Sequence, residues 1–301
     1  MKEILYVTAI YTGTLIGAGF ATGKEIQEFF RNPLGILIAF FLFLFLNVRI
    51  FTDINKNNIY TYNELLEYKC PRIKNFVIRL SAVFSLLSYG IMCSGAGEAL
   101  GFKGAGYLFS FVCVVVFLFE LKGITYLNLV ATPLIVMGIM AITIKSVSVF
   151  AQVPFDAVRY CSYNILCCLP VIPSLNTYIK NERVAKITAC LISVVCVLLI
   201  LCVYVSLPEY ICNLPLLETA RKINLSYIYY PALLLAMLTT AVSSGYGYMC
   251  CFDGEKYTHI AILFAVSVIM QSMDFGVLIK YVFGFFGVVS LGILYFLLKK
   301  S

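Results

Sequence analysis

The sequence predicts an all-α integral membrane protein, a single transmembrane domain over residues 1–301 with about ten spans in a five-plus-five inverted repeat. Three observations predict it. Of the 301 residues, 61% are hydrophobic and 12% charged, with a mean hydropathy of +0.95, more apolar surface than a water-soluble domain can hide. The apolar residues fall in long continuous runs rather than short alternating segments, so the spanning elements are helices and not barrel strands. The first and sixth runs are interrupted, one by glycine and the other by proline, at corresponding places in the two halves.

Span one covers residues 4–30 and contains GTLIGAGFATGKEI, with Gly13, Gly17, Gly19 and Gly23 inside an otherwise apolar helix. Each glycine costs about 1 kcal/mol relative to alanine there. Lys24, Glu25 and Glu28 follow at once, where charge is expensive. The basic start and small residues near Ala21 imitate a cleaved signal peptide, but the apolar run continues through Ile26, Phe29 and Phe30, which predicts an uncleaved anchor. Span two covers 34–52, and the polar stretch from Phe51 to Asn75 contains NIYTYNELLEY, which suits a short amphipathic helix. Spans three, four and five cover 76–100, 104–120 and 124–146, ending a first repeat of about 1–150. Span six, 156–180, opens the second repeat of about 151–301 and carries Pro170 and Pro173 in SYNILCCLPVIPSLN. Proline removes a backbone donor and clashes with the preceding turn, so it breaks this helix. Span seven covers 184–206, a loop from Pro208 to Asn224 contains Pro215, and spans eight, nine and ten cover 226–250, 257–273 and 276–298. Spans four and nine are short for a bilayer.

The net charge of +7 lies mainly in short loops between apolar runs, so it reports orientation rather than nucleic-acid binding. With an even number of spans, 14 of the 22 basic residues fall on the side of the two termini, which predicts both termini cytoplasmic, Lys74 and Lys186 cytoplasmic, and Lys103 and Lys222 external. The 12 cysteines sit largely within apolar runs or as adjacent pairs, Cys167-Cys168 and Cys250-Cys251, without C-x-x-C or Cys/His spacing. They read as small buried hydrophobes, and no transition-metal site is indicated.

An odd number of spans in each half makes the second half enter from the opposite side, so the first helix of each half should correspond. A break at mid-membrane exposes main-chain carbonyl and N–H groups at half-helix ends. Gly17, Ala18, Gly19 and Phe20 would then offer main-chain contacts to a bound solute, and Tyr163 and Asn164, just before the span-six break, would line the same pocket. The competing reading is packing, since Gly13-x-x-x-Gly17 and Gly19-x-x-x-Gly23 also let membrane helices approach closely. The spacing G-x-G-x-x-x-G, without strand or crossover, excludes a dinucleotide fingerprint. Glu98 with Lys24 or Glu25 could form an outer gate, against the ordinary reading of interfacial charges. His259, the single histidine, reads as a surface group at the start of span nine. Without a second histidine, an H-E-x-x-H run or a serine elbow, the chain is not an enzyme and needs no organic cofactor.

GTLIGAGFATGKEIQEFF resembles the opening motif of the YkvI-type bacterial membrane proteins, related to the amino acid-polyamine-organocation superfamily. The likeness is specific over residues 10–35 and compatible along the rest of the chain. It implies a leucine-transporter-like fold in a bacterial cytoplasmic membrane, with solute held between broken helices one and six. In sodium-coupled members of that fold, an ion lies between the helix-one break and an alanine-x-x-hydroxyl-hydroxyl pattern on helix eight. LLAMLTTAVSSGYGY matches it at Ala236, Thr239 and Thr240, an oxygen donor set that suits a hard cation. An offset set of Thr240, Ser243 and Ser244 is the alternative, and simple back-bonding of the hydroxyls is a third. The resulting expectation is a secondary transporter of a small polar or zwitterionic, amino-acid-like solute, with sodium as one candidate for coupling and protons or no coupling as the alternatives. The alternative is a membrane sensor or receptor subunit on the same fold, as in germination-related proteins, that binds a solute without moving it.

Overall fold

The glycine-rich first run becomes three helical pieces, α1 (Lys2–Leu15), α2 (Ala18–Thr22) and α3 (Lys24–Phe29). The computed structural model describes residues 2–16, 18–30, 32–102, 104–146, 156–252 and 254–298. Gly17, Lys103 and the 150–151 junction between the two expected repeats lie outside them. Gly23 joins α2 to α3 with φ +82°, and a Cβ there would press on Leu207 Cδ2 at 2.9 Å. Only glycine takes that left-handed turn without strain.

Local sequence sets the ends of the next helices. Asn32 caps α4 (Pro33–Lys56) by accepting from Leu34 N at 2.9 Å, with Pro33 in the first turn, where its missing N–H costs nothing. The expected amphipathic piece is α5 (Tyr62–Lys69), opened by a reciprocal capping box between Thr61 and Glu64. It lays Tyr62, Leu65 and Leu66 into the core and places the Tyr62 hydroxyl 2.6 Å from Ser81 Oγ. α6 (Lys74–Leu100) stops at Gly101, φ +70°. α7 (Ala105–Leu118) and α8 (Glu120–Lys145) complete the first half.

The proline-bearing sixth run is likewise broken. α9 (Ala157–Cys168) ends in a turn at residues 169–171, and α10 (Ile172–Leu175) restarts with Pro173 in its first turn before a 3₁₀ turn, Asn176–Tyr178. Pro170 and Pro173 have no N–H to give to the carbonyls of the preceding turn, which favours the break seen at residues 169–171. α11 (Glu182–Val205), α12 (Pro215–Lys222), α13 (Ser226–Met249) and α14 (Lys256–Met270) follow. α15 (Phe275–Leu278) continues through a π-helical turn, Ile279–Phe283, into α16 (Gly284–Leu298).

Among the described residues there is no β-strand, and six helices are long and apolar enough to cross a membrane: Pro33–Lys56, Pro71–Leu100, Tyr126–Lys145, Glu182–Val205, Ser226–Met249 and Phe275–Leu298. α7 and α14, at 14 and 15 residues, are shorter, as the fourth and ninth apolar runs foretell. α6 packs along α13, α4 along α11 and α9 along α16, while α1 sits among α8, α11 and α13. Outward faces are apolar, for example Leu37, Phe41 and Phe45 on α4 and Leu198 and Leu201 on α11, the surface that lipid covers in an integral membrane protein. Buried polar groups tie the central helices together. Tyr11 donates to Asn47 Oδ1 at 2.8 Å, and Asn47 Nδ2 donates to Ser193 Oγ at 3.1 Å, so α1, α4 and α11 share one chain of hydrogen bonds that hydrocarbon makes costly to break.

Candidate functional site

The two broken runs converge. Thr14 and Leu15 at the end of α1, Glu25 on α3, and Tyr163, Asn164 and Cys167 on α9 enclose one small internal cavity. Phe84, Ser88 and Met92 of α6, Thr240 of α13 and Phe283 of the last helix close it. The space holds about 20 Å³, room for about one water-sized group, so the helices are drawn together around it.

Glu25 is the charged residue of this lining. It is 2% exposed, and its Oε2 accepts from the Tyr163 hydroxyl at 2.7 Å. The neighbouring Lys24 turns away and ion-pairs with Glu28 at 3.2 Å. A Cβ on Gly19 would run into the Glu25 carboxylate, so the bare backbone of α2 is what lets that side chain lie inward. Aromatic rings surround the pair. Tyr163 stacks on Phe283 with centroids 5.1 Å apart, meets Phe29 at 5.4 Å and faces the edge of Phe84 at 6.3 Å. Asn164 Nδ2 donates to Tyr160 O at 2.9 Å. Ser88 Oγ, at 1% residue exposure, has no hydrogen-bond partner among the described residues.

The helix-eight pattern lies against the same break. Thr240 Oγ1 donates across to Ile16 O at 3.0 Å, whereas Thr239 Oγ1 donates back to Ala236 O at 3.0 Å. Ser243 Oγ sits 3.3 Å from Thr14 Oγ1, and Ser244 Oγ faces Cys167 of α9. Thr239 is fully buried and Thr240 5% exposed. Thr240 thus bridges α13 to the Ile16 carbonyl at the end of α1, whereas the Thr239 hydroxyl is back-bonded within α13; uncharged hydroxyl and carbonyl oxygens are the donor chemistry that hard cations accept. The members of the offset set touch α1 through Ser243 rather than Ser244. Among the described residues no group of His, Cys, Asp and Glu is arranged to hold a metal ion.

The remaining expected residues are distributed as follows. Gly17 lies outside the described residues, and Ala18 opens α2. Phe20 is fully buried, and neither it nor Gly19 is among the residues that line the cavity, whereas the predicted Tyr163 and Asn164 are. The outer gate of Glu98 with Lys24 or Glu25 is not formed. Asn213 Nδ2 instead donates to Glu98 Oε1 at 3.0 Å and to Asp274 Oδ2 at 3.1 Å. His259 is no surface group: it is 8% exposed and edge-on to Tyr248 at 5.4 Å, and among the described residues neither ring nitrogen has a hydrogen-bond partner. Sequence reasoning did not assign Glu25, Ser88, Phe84 or Phe283 to a solute pocket. Phe84, Ser88 and Met92 recur at i, i+4 and i+8 and so share a face of α6, but a serine in an apolar helix signals packing as readily as a site. Nothing local marks Phe283.

No protein-family model matches the chain. It is similar to the uncharacterised membrane protein YkvI of Bacillus subtilis (strain 168), at 26% identity over 97% of this chain and 94% of that protein. The uncharacterised protein YyaD of the same organism is also 26% identical, over 59% of this chain and 58% of that protein. Among solved structures, Mhp1, a nucleobase-cation-symport-1 family transporter in a closed conformation with bromovinylhydantoin bound, superposes with a TM-score of 0.66 at 14% identity, covering 96% of this chain and 75% of that one. A Na+-coupled sialic acid symporter in a substrate-bound outward-open state gives 0.62 at 12% identity, covering 96% and 76%. The chain therefore has the leucine-transporter-like fold of these symporters. The resemblance narrows accordingly: the solved neighbours belong to symporter families of that fold and do not single out the amino acid-polyamine-organocation superfamily.

Proposed function

We propose that the chain is a secondary transporter that carries a small polar or zwitterionic, amino-acid-like solute across the bacterial cytoplasmic membrane by alternating access, coupled to sodium. The observation that carries this reading is the meeting of two broken helices at one buried cavity that holds the Glu25 carboxylate. A continuous helix has no free main-chain groups at mid-membrane, whereas two interrupted ones supply them from both halves at the same depth. The order of elements supports ten spans in two inverted repeats. Each half runs from an interrupted helix to a long one, α4 or α11, both of 24 residues. A short amphipathic helix comes next, α5 or α12, both of eight. A long helix, a short apolar one of 14 or 15 residues, and a final long one close each half.

In this reading Gly17, Ala18, Gly19 and Phe20 present main-chain groups to the solute, and Tyr163 and Asn164 present side chains. Ala236, Thr239, Thr240 and the carbonyl of Ile16 take the sodium ion as cargo. A cation there would replace the Thr240 to Ile16 hydrogen bond and draw α1 toward α13. That couples ion occupancy to the geometry of the adjoining solute cavity, which Thr240 also lines. The sodium-coupled symporter among the fold neighbours supports this part.

Purified protein in proteoliposomes tests the reading. Uptake of a labelled amino-acid and amine panel should rise under an inward sodium gradient. Thr239→Ala and Thr240→Ala should lower the sodium-dependent component by about tenfold, the scale of one lost ligand contact of about 1.4 kcal/mol, while the protein stays folded. Binding without flux for every solute would replace the transporter reading by the receptor one.

A further inference from the structure

The cavity itself narrows the solute, and the geometry points to a protonated amine: an organic ammonium head group held against Glu25 inside the ring of Phe84, Tyr163 and Phe283. This rests on the reading of the cavity as the solute site. Its first support is charge. Glu25 is the one carboxylate in the lining, and among the described residues no lysine, arginine or histidine joins it. Lys24, the adjacent cation, is engaged with Glu28. A buried carboxylate is costly unless an opposite charge and hydrogen bonds compensate it. Tyr163 supplies one hydrogen bond, and no side chain supplies the charge.

The second support is the aromatic surround. The Tyr163, Phe84 and Phe283 rings lie with centroids 5.1–6.3 Å apart and line the same space. Ring faces carry partial negative charge, and aromatic walls beside an acid are the arrangement that binds ammonium groups. The third is Ser88, whose buried hydroxyl lines the cavity with no partner and can accept from an ammonium N–H. The enclosed volume suits a head group of water size. An anionic solute, by contrast, would meet Glu25 at close range with nothing basic to offset the repulsion. A neutral one would bring no charge to pair with the carboxylate. Ten residues beyond Ser88 on α6, about 15 Å along the axis, Glu98 and Asp274 line a separate open pocket and both accept from Asn213.

The test uses the full chain in detergent and thermal stabilisation as readout. The probes are methylammonium, ethanolammonium and tetramethylammonium, glycine as zwitterion, acetate as anion and acetamide as neutral isostere, each with and without sodium. At least one amine should stabilise saturably, and Glu25→Gln, which keeps shape and the Tyr163 contact, should weaken it by about tenfold to a hundredfold, the scale of a hydrogen bond to a charged group. Ser88→Ala should weaken it by severalfold. Glycine binding as well as the simple amines would assign the amine to an amino acid, and amines binding without glycine would assign it to a solute lacking a carboxylate. Stabilisation by acetate or acetamide but by no amine overturns the inference, as does a response to sodium alone that Glu25→Gln abolishes, or no response to any amine. Should Glu25→Gln fail to fold, the wild-type selectivity and Ser88→Ala decide. Amine binding with no flux in proteoliposomes leaves this inference standing and removes the transporter reading, while flux of a neutral solute without amine binding does the reverse.

Discussion

A methyl group added at Gly13 and one added at Gly19 meet different neighbours, although both glycines lie on the same span. At Gly13 it would come within 2.5 Å of Asn128 Oδ1 and 2.6 Å of Thr132 Oγ1, side chains of α8; at Gly19 it would strike the Glu25 carboxylate. The packing explanation thus fits Gly13, whereas Gly19 abuts a side chain that lines the candidate cavity. Gly13→Ala should cost about 1–3 kcal/mol through overpacking, with ligand affinity unchanged in the folded fraction. Gly19→Ala should displace Glu25 and weaken methylammonium binding at least tenfold, at a melting temperature near that of the wild type, because alanine's helix preference of about 1 kcal/mol over glycine opposes the strain. Thermal unfolding and probe titration of the two variants check both statements, and equal affinities would return Gly19 to a packing role. The sequence shows that these glycines are anomalous. It cannot show which is which, since the answer lies in Asn128 and Glu25, and only the fold sets those side chains opposite them.

Helix ends are the elements most directly written in local chemistry. The Thr61–Glu64 box of α5 is an instance: the Glu64 carboxylate accepts from Tyr60 N at 2.8 Å and Thr61 N at 3.3 Å. Those main-chain donors, Tyr60 first, hold its pKa below the usual carboxylate range despite its exposure. A carboxylate depressed in the folded state adds stability above its unfolded pKa and loses it as pH falls through the folded value. Amides of α5 should therefore exchange faster at pH 4 than at pH 7 after correction for intrinsic rates, and Glu64→Ala should remove most of that pH dependence at a cost of about 0.5 kcal/mol, the low end for a solvent-screened cap. A pH-independent exchange ratio for α5 in the wild type would refute the assignment. The interruptions of the first and sixth runs were legible for the same local reason, since Gly23 takes a left-handed φ and Pro170 lacks an N–H. Burial was not. Lys24, Glu25 and His259 read as groups reaching interfacial water, yet all three are under 9% exposed, because neighbouring helices far away in sequence cover them.

At the scale of the whole molecule, the decisive feature is the relation between α5 and α12. Each has eight residues and each lies between the second and third long elements of its half. An odd number of spans per half requires the two to sit on opposite faces of the membrane; an even number would put them on the same face. Loop charge makes the same assignment independently, with the basic stretch around Lys74 inside and Lys222 outside. Both lysines are near helix ends. Lys74 pairs with the exposed Glu67 at 2.9 Å, and Lys222 lies 4.7 Å from the Tyr210 ring centroid, so cysteine at either position should be reachable from water without disturbing the core. In a background lacking its own accessible cysteines, a membrane-impermeant maleimide added to intact cells should label Lys222→Cys. It should label Lys74→Cys only after the membrane is opened. Labelling of both positions from one side would end the five-plus-five arrangement, and with it the argument that the α1–α2 and α9–α10 breaks are symmetry-related halves of one site.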